Sequence, residues 1–133
     1  MTGDPQFITI EEAMLFHREE IRRAGGTEGV RDSDELAAAL AAPQAGFGDS
    51  YLLGDLFEMA AAYVESMCAH HPFMDGNKRT GTACALVFLL LNGYEVNEEH
   101  DEELADRVLD LVMHRTDRQG LADYFRKRSR GVD

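Results

Sequence analysis

The sequence is short of the features that mark disulfide-bonded and membrane proteins. It has only two cysteines, Cys68 and Cys84, and both fall in apolar helical segments without CxxC spacing. We therefore expect buried, reduced thiols rather than a disulfide or a metal site. The apolar stretch Ala83–Leu91 is nine residues long, whereas a helix that spans a bilayer needs about twenty. The first residues show no basic segment followed by an apolar run, so we expect no signal peptide and a soluble, cytoplasmic protein.

Positive charge is also scarce. The 13 basic residues face 25 acidic ones, which leaves a net charge of −12, and only Lys78 and Lys127 are lysines. A surface this negative repels the phosphates of nucleic acids and anionic membranes. We therefore expect no direct nucleic-acid binding and no membrane partner, and basic residues grouped around one loop stand out against this background.

The remaining composition predicts one helical domain spanning residues 1–133. Hydrophobic residues make up 44% of the chain, which is enough for a core. Apolar residues recur every three to four positions behind helix-start signals. These starts are Thr9 with Glu12, Asp32 with Glu35, Asp55 with Glu58, and Thr116 with Gln119. The fold class is all-α, a bundle of about six helices around a central apolar helix. The near-continuous apolar run that ends at Leu91 should be that helix, and Phe7–Ile10 and Tyr94–Val96 are candidate short strands.

The densest functional pattern is HPFMDGNKR at residues 71–79. Pro72 disfavours helix in the residue before it, and Gly76 permits backbone angles that other residues resist, so a tight loop leads into a helix. The N–H groups and the dipole at that helix start favour an anion. Lys78 and Arg79 add positive charge at this end, which is unfavourable unless a phosphate or carboxylate compensates it. The stretch therefore predicts a phosphate-handling site.

This stretch resembles the signature of the Fic/Doc family, whose Fic branch has H-P-F-x-[D/E]-G-N-G-R. Lys78 replaces the second glycine, and this departure matches the Doc branch, toxins of bacterial toxin–antitoxin pairs. The resemblance extends less specifically from about Ile8 to Phe125 and implies a Fic-like helical bundle.

The resemblance also implies roles for individual residues. His71 would be the general base that removes a proton from a target hydroxyl, and Asp75 would help to hold Mg²⁺ on the phosphates of ATP. The nucleotide phosphates would be held by Gly76, Asn77, Lys78 and Arg79. Without the motif, a helix-capping histidine would be the favoured interpretation of His71, and an ordinary turn aspartate would be a serious rival for Asp75; the motif reverses the preference at His71. Structural roles are expected for His17, Arg31 and His70.

Lys78 bears on which group is transferred. In the Fic branch, the glycine at this position leaves room for the inner phosphates of the nucleotide, and AMP is transferred. A lysine side chain fills that space. The resemblance then implies that the γ-phosphate faces the target, which makes the chain a protein kinase acting on a Ser/Thr hydroxyl of a translation factor, elongation factor Tu in the Doc branch. An AMP transferase and a noncatalytic binding module remain the alternatives.

The sequence lacks one regulatory element found in many Fic proteins, an inhibitory helix with the pattern [S/T]-x-x-x-E-[G/N]. No serine or threonine here has a glutamate four residues further along the chain. We therefore expect inhibition by a second protein. The resemblance implies a cognate antitoxin whose C-terminal segment folds onto the toxin.

Overall fold

Helices make up most of the chain in the computed structural model, which describes residues 4–47, 50–97 and 101–132. Within those residues the helices are α1 Ile10–Ala24, α2 Ser33–Ala41, α3 Leu56–His70, α4 Asn77–Leu91, α5 Asp101–Val112 and α6 Arg118–Arg128. A 3-10 turn, Ala42–Gln44, follows α2. Two short antiparallel pairs join β1 Gly46–Phe47 to β2 Ser50–Tyr51, and β3 Tyr94–Val96 to β4 Ser129–Gly131. The predicted all-α bundle of six helices is confirmed, as is the strand at residues 94–96.

Local capping signals set where most helices begin. At α1 the side chain of Thr9 accepts from the Glu12 N–H, and Glu12 accepts from the Thr9 N–H, which completes the predicted capping box. At α6 the cap is Asp117, one residue later than predicted, because its carboxylate accepts from Gly120 N–H at 2.9 Å. Aspartate caps a helix better than threonine does, which explains the shift from Thr116.

The predicted capping box of α2 forms only in part. Asp32 accepts from the N–H groups of Asp34 and Glu35, as an N-cap should. The Glu35 carboxylate does not return to the cap; it lies 2.7 Å from Nδ1 of His70 at the end of α3. A tertiary contact thus replaces the second half of the local motif.

The central helix is α3 rather than α4. It packs against α2, α4, α5, α6 and the 3-10 turn, whereas α4 packs mainly against α1, α3 and β3. At the end of α4, Leu90 is 53% exposed. The two helices come close at Gly81, where an added Cβ would lie 3.0 Å from Cβ of Met67 and 3.3 Å from Cα of Val64. This crossing fixes how the end of α3 faces the start of α4.

Residues 7–10 do not form the short strand that their β-branched composition suggested. The Ile8 N–H donates to the Tyr63 hydroxyl at 2.9 Å, and Ile10 already begins α1. The Phe7 ring packs against the Phe88 ring at 5.6 Å. The segment is extended because side chains of distant helices satisfy its backbone, so no neighbouring strand is required.

Two expectations drawn from scarcity can be compared with the structure. Cys68 and Cys84 are both free thiols, but only Cys84 is buried as expected, whereas Cys68 is half-buried. Burial raises the pKa of Cys84 to about 12. Among the helices in the described part of the chain, none combines the length and apolar character needed to cross a membrane.

The buried hydroxyl of Tyr63 provides a test of this packing. Tyr63→Phe keeps the ring but leaves the buried Ile8 N–H without an acceptor, so the free energy of unfolding should fall by about 1–3 kcal/mol. Urea denaturation measures the change. Tyr51→Phe is the control, because the bond that its hydroxyl donates to Asp4 is exposed to solvent. Equal stability of the two variants would show that the bond between the Ile8 N–H and the Tyr63 hydroxyl does not stabilise the fold.

Candidate active site

The loop between α3 and α4 is anchored by Phe73. This ring is 1% exposed and stacks on the imidazole of His17, with 3.9 Å between ring centroids. The Phe73 N–H donates to Oδ1 of Asn77, and its carbonyl accepts from Nδ2 of Asn77, both at 3.0 Å. Asn77 is itself 4% exposed. One buried amide thus fixes both polar groups of the Phe73 backbone, and the loop is held at its midpoint.

His71 ends α3 with a left-handed backbone, φ 53° and ψ 52°. Its N–H donates to the Met67 carbonyl at 3.1 Å, so the backbone of His71 caps the helix. The imidazole is exposed, and no side chain in the described residues hydrogen-bonds to it. The two interpretations of His71 are therefore compatible, because the backbone caps the helix while the ring stays free for chemistry.

The start of α2 lies against the end of α3. Arg31 donates from Nε to the His71 carbonyl at 2.7 Å and from Nη2 to the His70 carbonyl at 2.9 Å. The backbone N–H groups of Arg31 and Asp32 both donate to the Pro72 carbonyl. Three consecutive carbonyls at the mouth of the loop are thereby satisfied, in keeping with a structural role for Arg31.

Asp75 is exposed and oriented by backbone donors. Its carboxylate accepts from Thr27 N–H at 3.2 Å and from Gly76 N–H at 2.8 Å, and these bonds lower the pKa of Asp75. Its carbonyl lies 2.9 Å from Nε2 of His17. An ionised carboxylate suits a hard cation, and Mg²⁺ is commonly held by one or two carboxylates together with nucleotide phosphates. The described residues contain no cluster of three or more metal-ligating side chains, so Asp75 fits Mg²⁺ only in company with phosphate oxygens.

The first turn of α4 carries two cations, Lys78 and Arg79, beside the free N–H groups of the helix start. Gly76 is the N-cap, with φ 76°, and no side chain of the described residues caps the helix start. Arg79 donates from Nη2 to the Gly25 carbonyl at 3.0 Å, over the end of α1. Lys78 is exposed, and none of the described residues pairs with its ammonium group. A groove of about 780 Å³ between α4 and α5 opens beside both cations. Uncapped N–H groups and adjacent cations are the requirements of an anion site.

The structure therefore brings all the predicted site residues to one loop and the helix turn that follows it. Their assignment to phosphates and metal stays a prediction, and the contacts seen for Asn77 are those of a loop brace. Sequence reasoning missed the segment after α1, where Thr27 contacts Asp75 and Gly25 contacts Arg79. The available signal was the pair Gly25-Gly26, since both residues adopt positive φ.

The chain belongs to the Fic/Doc family: the family model described as Fic/DOC family matches residues 7–89, which include the whole loop. It is 33% identical over 120 residues to Protein kinase doc of Escherichia phage P1, covering 90% of this chain and 93% of that protein. It is 37% identical over 91 residues to Toxin Doc of Mycolicibacterium smegmatis, covering 68% of this chain and 70% of that protein. The resemblance inferred from residues 71–79 is confirmed.

Gly26 tests whether the segment after α1 orients Asp75. An added Cβ would lie 2.6 Å from Oδ2 of Asp75, and φ is 123°. Gly26→Ala should therefore lower the free energy of unfolding by about 1–3 kcal/mol and raise the pKa of Asp75 by disturbing its bond to Thr27. Gly25→Ala is the control, because φ is also positive there but no atom of the described residues lies within 4 Å of the added Cβ. Urea denaturation and an NMR titration of Asp75 measure both effects.

The lowered pKa of Asp75 also determines how the stability of the parent protein changes with pH. Folding lowers the pKa of Asp75, so its carboxylate stabilises the native state at neutral pH, and this contribution is lost as the pH falls through the native pKa. If Gly26→Ala and Gly25→Ala left the pKa of Asp75 equal, Thr27 would not be what orients the carboxylate.

Proposed function

We propose that the protein is a Doc-like toxin of a toxin–antitoxin pair, an Mg-ATP-dependent protein kinase that phosphorylates a Ser/Thr hydroxyl of a translation factor. The observation that carries the proposal is the loop itself, where an exposed imidazole, an ionised carboxylate and two cations flank an uncapped helix start. The names of the two relatives, Protein kinase doc and Toxin Doc, support the same class of activity.

The reaction divides among the residues of the loop. His71 accepts the proton of the target hydroxyl while that oxygen forms a bond to the γ-phosphorus of ATP. The bond from the γ-phosphorus to the bridging oxygen breaks, and ADP leaves. Lys78, Arg79 and the N–H groups of α4 bind the phosphate charge through direct contacts. Asp75 and the nucleotide phosphates would hold Mg²⁺, which would neutralise the negative charge that develops on the departing ADP.

The nature of residue 78 favours phosphoryl over AMP transfer. Lys78 lies in the first turn of α4, and its side chain is exposed on the side of the groove. Phosphoryl transfer depends mainly on positioning and charge neutralisation, and a lysine supplies a point charge for the outer phosphates. A glycine at this position would leave that space to the inner phosphates, which is the arrangement the AMP-transfer alternative requires.

The partners follow from the same proposal. The target is elongation factor Tu, met in the cytoplasm, and a cognate antitoxin neutralises the kinase with a C-terminal segment that folds onto it. The groove between α4 and α5 suits such a segment, because a chain lying there would also reach Lys78 and Arg79. Its apolar lining comprises Ala83, Leu86, Val87, Leu104, Ala105, Val108 and Leu109.

Labelled ATP and a His71 variant test the proposal together. Purified protein is incubated with the translation factor and ATP labelled at the γ- or the α-phosphate. The γ label should appear on the target, and His71→Asn should abolish labelling and growth arrest. Asparagine is chosen because it tolerates the left-handed backbone of His71 better than alanine does. The free energies of unfolding of the parent and of His71→Asn should agree within about 0.5 kcal/mol, which would show that the variant is folded.

Each other outcome identifies a different protein. Transfer of the α label supports the AMP transferase, and absence of both labels supports a binding module. Full toxicity of a well-folded His71→Asn variant would refute the general-base role.

Lys78→Gly tests what sets the orientation of the nucleotide. Removal of the side chain deletes one cation and opens space beside the helix start, so the adduct on the target should change from phosphoryl to adenylyl. Intact-protein mass spectrometry distinguishes the two masses. Lys78→Ala separates lost charge from loosened helix, since glycine costs about 1 kcal/mol more than alanine there. Lys127→Ala removes the other lysine, at the exposed end of α6, and should change nothing. Purely phosphoryl adducts from Lys78→Gly would show that this side chain does not orient ATP.

A further inference from the structure

The end of α3 is held by an arginine from outside the signature stretch. A helix leaves its last carbonyls without intrahelical partners. Here one guanidinium group, that of Arg31, donates hydrogen bonds to two of these carbonyls. Nε donates to the His71 carbonyl at 2.7 Å and Nη2 to the His70 carbonyl at 2.9 Å. Within the described part of the chain Arg31 makes no ion pair, so its charge is directed to these carbonyls and not to a carboxylate.

These bonds fix the backbone on both sides of His71. Its N–H is held by the Met67 carbonyl at 3.1 Å, and its own carbonyl is held by Arg31. With both flanking peptide groups fixed, the direction of the Cα–Cβ bond is set, and the imidazole retains only its side-chain rotations. The left-handed conformation of a residue other than glycine is strained and persists only where the surroundings impose it.

We propose that Arg31 is a positioning residue of this site: its bidentate contact with the carbonyls of His70 and His71 holds the His71 imidazole in the direction needed to meet the target hydroxyl. This inference rests on the proposed kinase function, because it assigns His71 a hydroxyl to deprotonate. The planar guanidinium presents two parallel N–H donors, whereas a lysine offers one compact charge and cannot reproduce the fork.

Removal of a positioning residue lowers kcat, whereas removal of a residue that binds substrate directly raises KM. Misplacement of a general base by about 1 Å costs up to roughly 100-fold in rate, while nucleotide contacts from Asp75, Lys78 and Arg79 are left in place. A residue that bound ATP itself would instead raise KM.

The test compares Arg31→Ala and Arg31→Lys in the full-length chain, with ATP and the translation factor as substrates. We expect kcat to fall about 100-fold for alanine and about tenfold for lysine, with KM for ATP within about twofold of the parent. Amide hydrogen exchange measured by NMR gives a readout independent of activity. In Arg31→Ala the amides of His71 and Met74 should exchange faster, while those of Ala60 and Val64 in the core of α3 stay protected.

Arg118→Ala is the matched control. Arg118 also reaches α3 from another helix, through a 3.0 Å bond to Glu65, but it does not contact the loop. It should leave kcat and the exchange of His71 unchanged. The proposal is overturned if Arg31→Ala keeps the parent kcat, raises KM alone, or leaves the exchange of His71 unaltered. If the parent transfers no phosphoryl group, the proposed function fails, and the exchange of His71 still decides whether Arg31 fixes this residue.

Discussion

The candidate site depends on the two hydrogen bonds between the side chain of Asn77 and the backbone of Phe73. They are buried, so losing either would leave a polar group unsatisfied at a cost of about 1–3 kcal/mol. The stack of Phe73 on His17 prevents the ring from turning away. His71 lies two residues before this anchor and Asp75 two residues after it. The two residues proposed as general base and metal ligand, His71 and Asp75, are therefore placed relative to one another by a single fixed residue.

Electrostatics at the site is a contest between near and distant charges. The net charge of −12 opposes any anion, ATP included. At physiological ionic strength, exposed charges further than about 8 Å away are largely screened. A phosphate bound at the loop would lie within hydrogen-bond distance of Lys78, Arg79 and the N–H groups of α4. Attraction at that distance is not screened, so it would outweigh the repulsion from distant acidic residues. Pairing of the nucleotide with Mg²⁺ at Asp75 would reduce the remaining repulsion. A protein with a negative net charge can thus bind a phosphate where hydrogen-bond donors and cations are concentrated.

What the sequence could and could not predict divides by the range of the interaction. The capping box of Thr9 and Glu12 and the signature stretch are local, and the helices and the family followed from them. The strand predicted at residues 7–10 failed because its partner is Tyr63, 55 residues away. The contact between Thr27 and Asp75 was likewise invisible, since it spans 48 residues. Which helix lies at the centre depends on how many neighbours cover it, and a helix's own apolar content does not report that.

The three residues that open α4 differ in how strongly the fold constrains them. Successive residues of a helix point about 100° apart, so the three that open α4 face three environments. Asn77 points inward and braces Phe73, and Arg79 reaches across to the carbonyl of Gly25. Lys78 is exposed, and its ammonium group makes no hydrogen bond or ion pair with the described residues. The fold constrains the first two and leaves position 78 free. Position 78 is also where the sequence departs from the Fic pattern, so a substitution there can change the charge beside the helix start without disturbing the bonds between Asn77 and Phe73 that hold the loop.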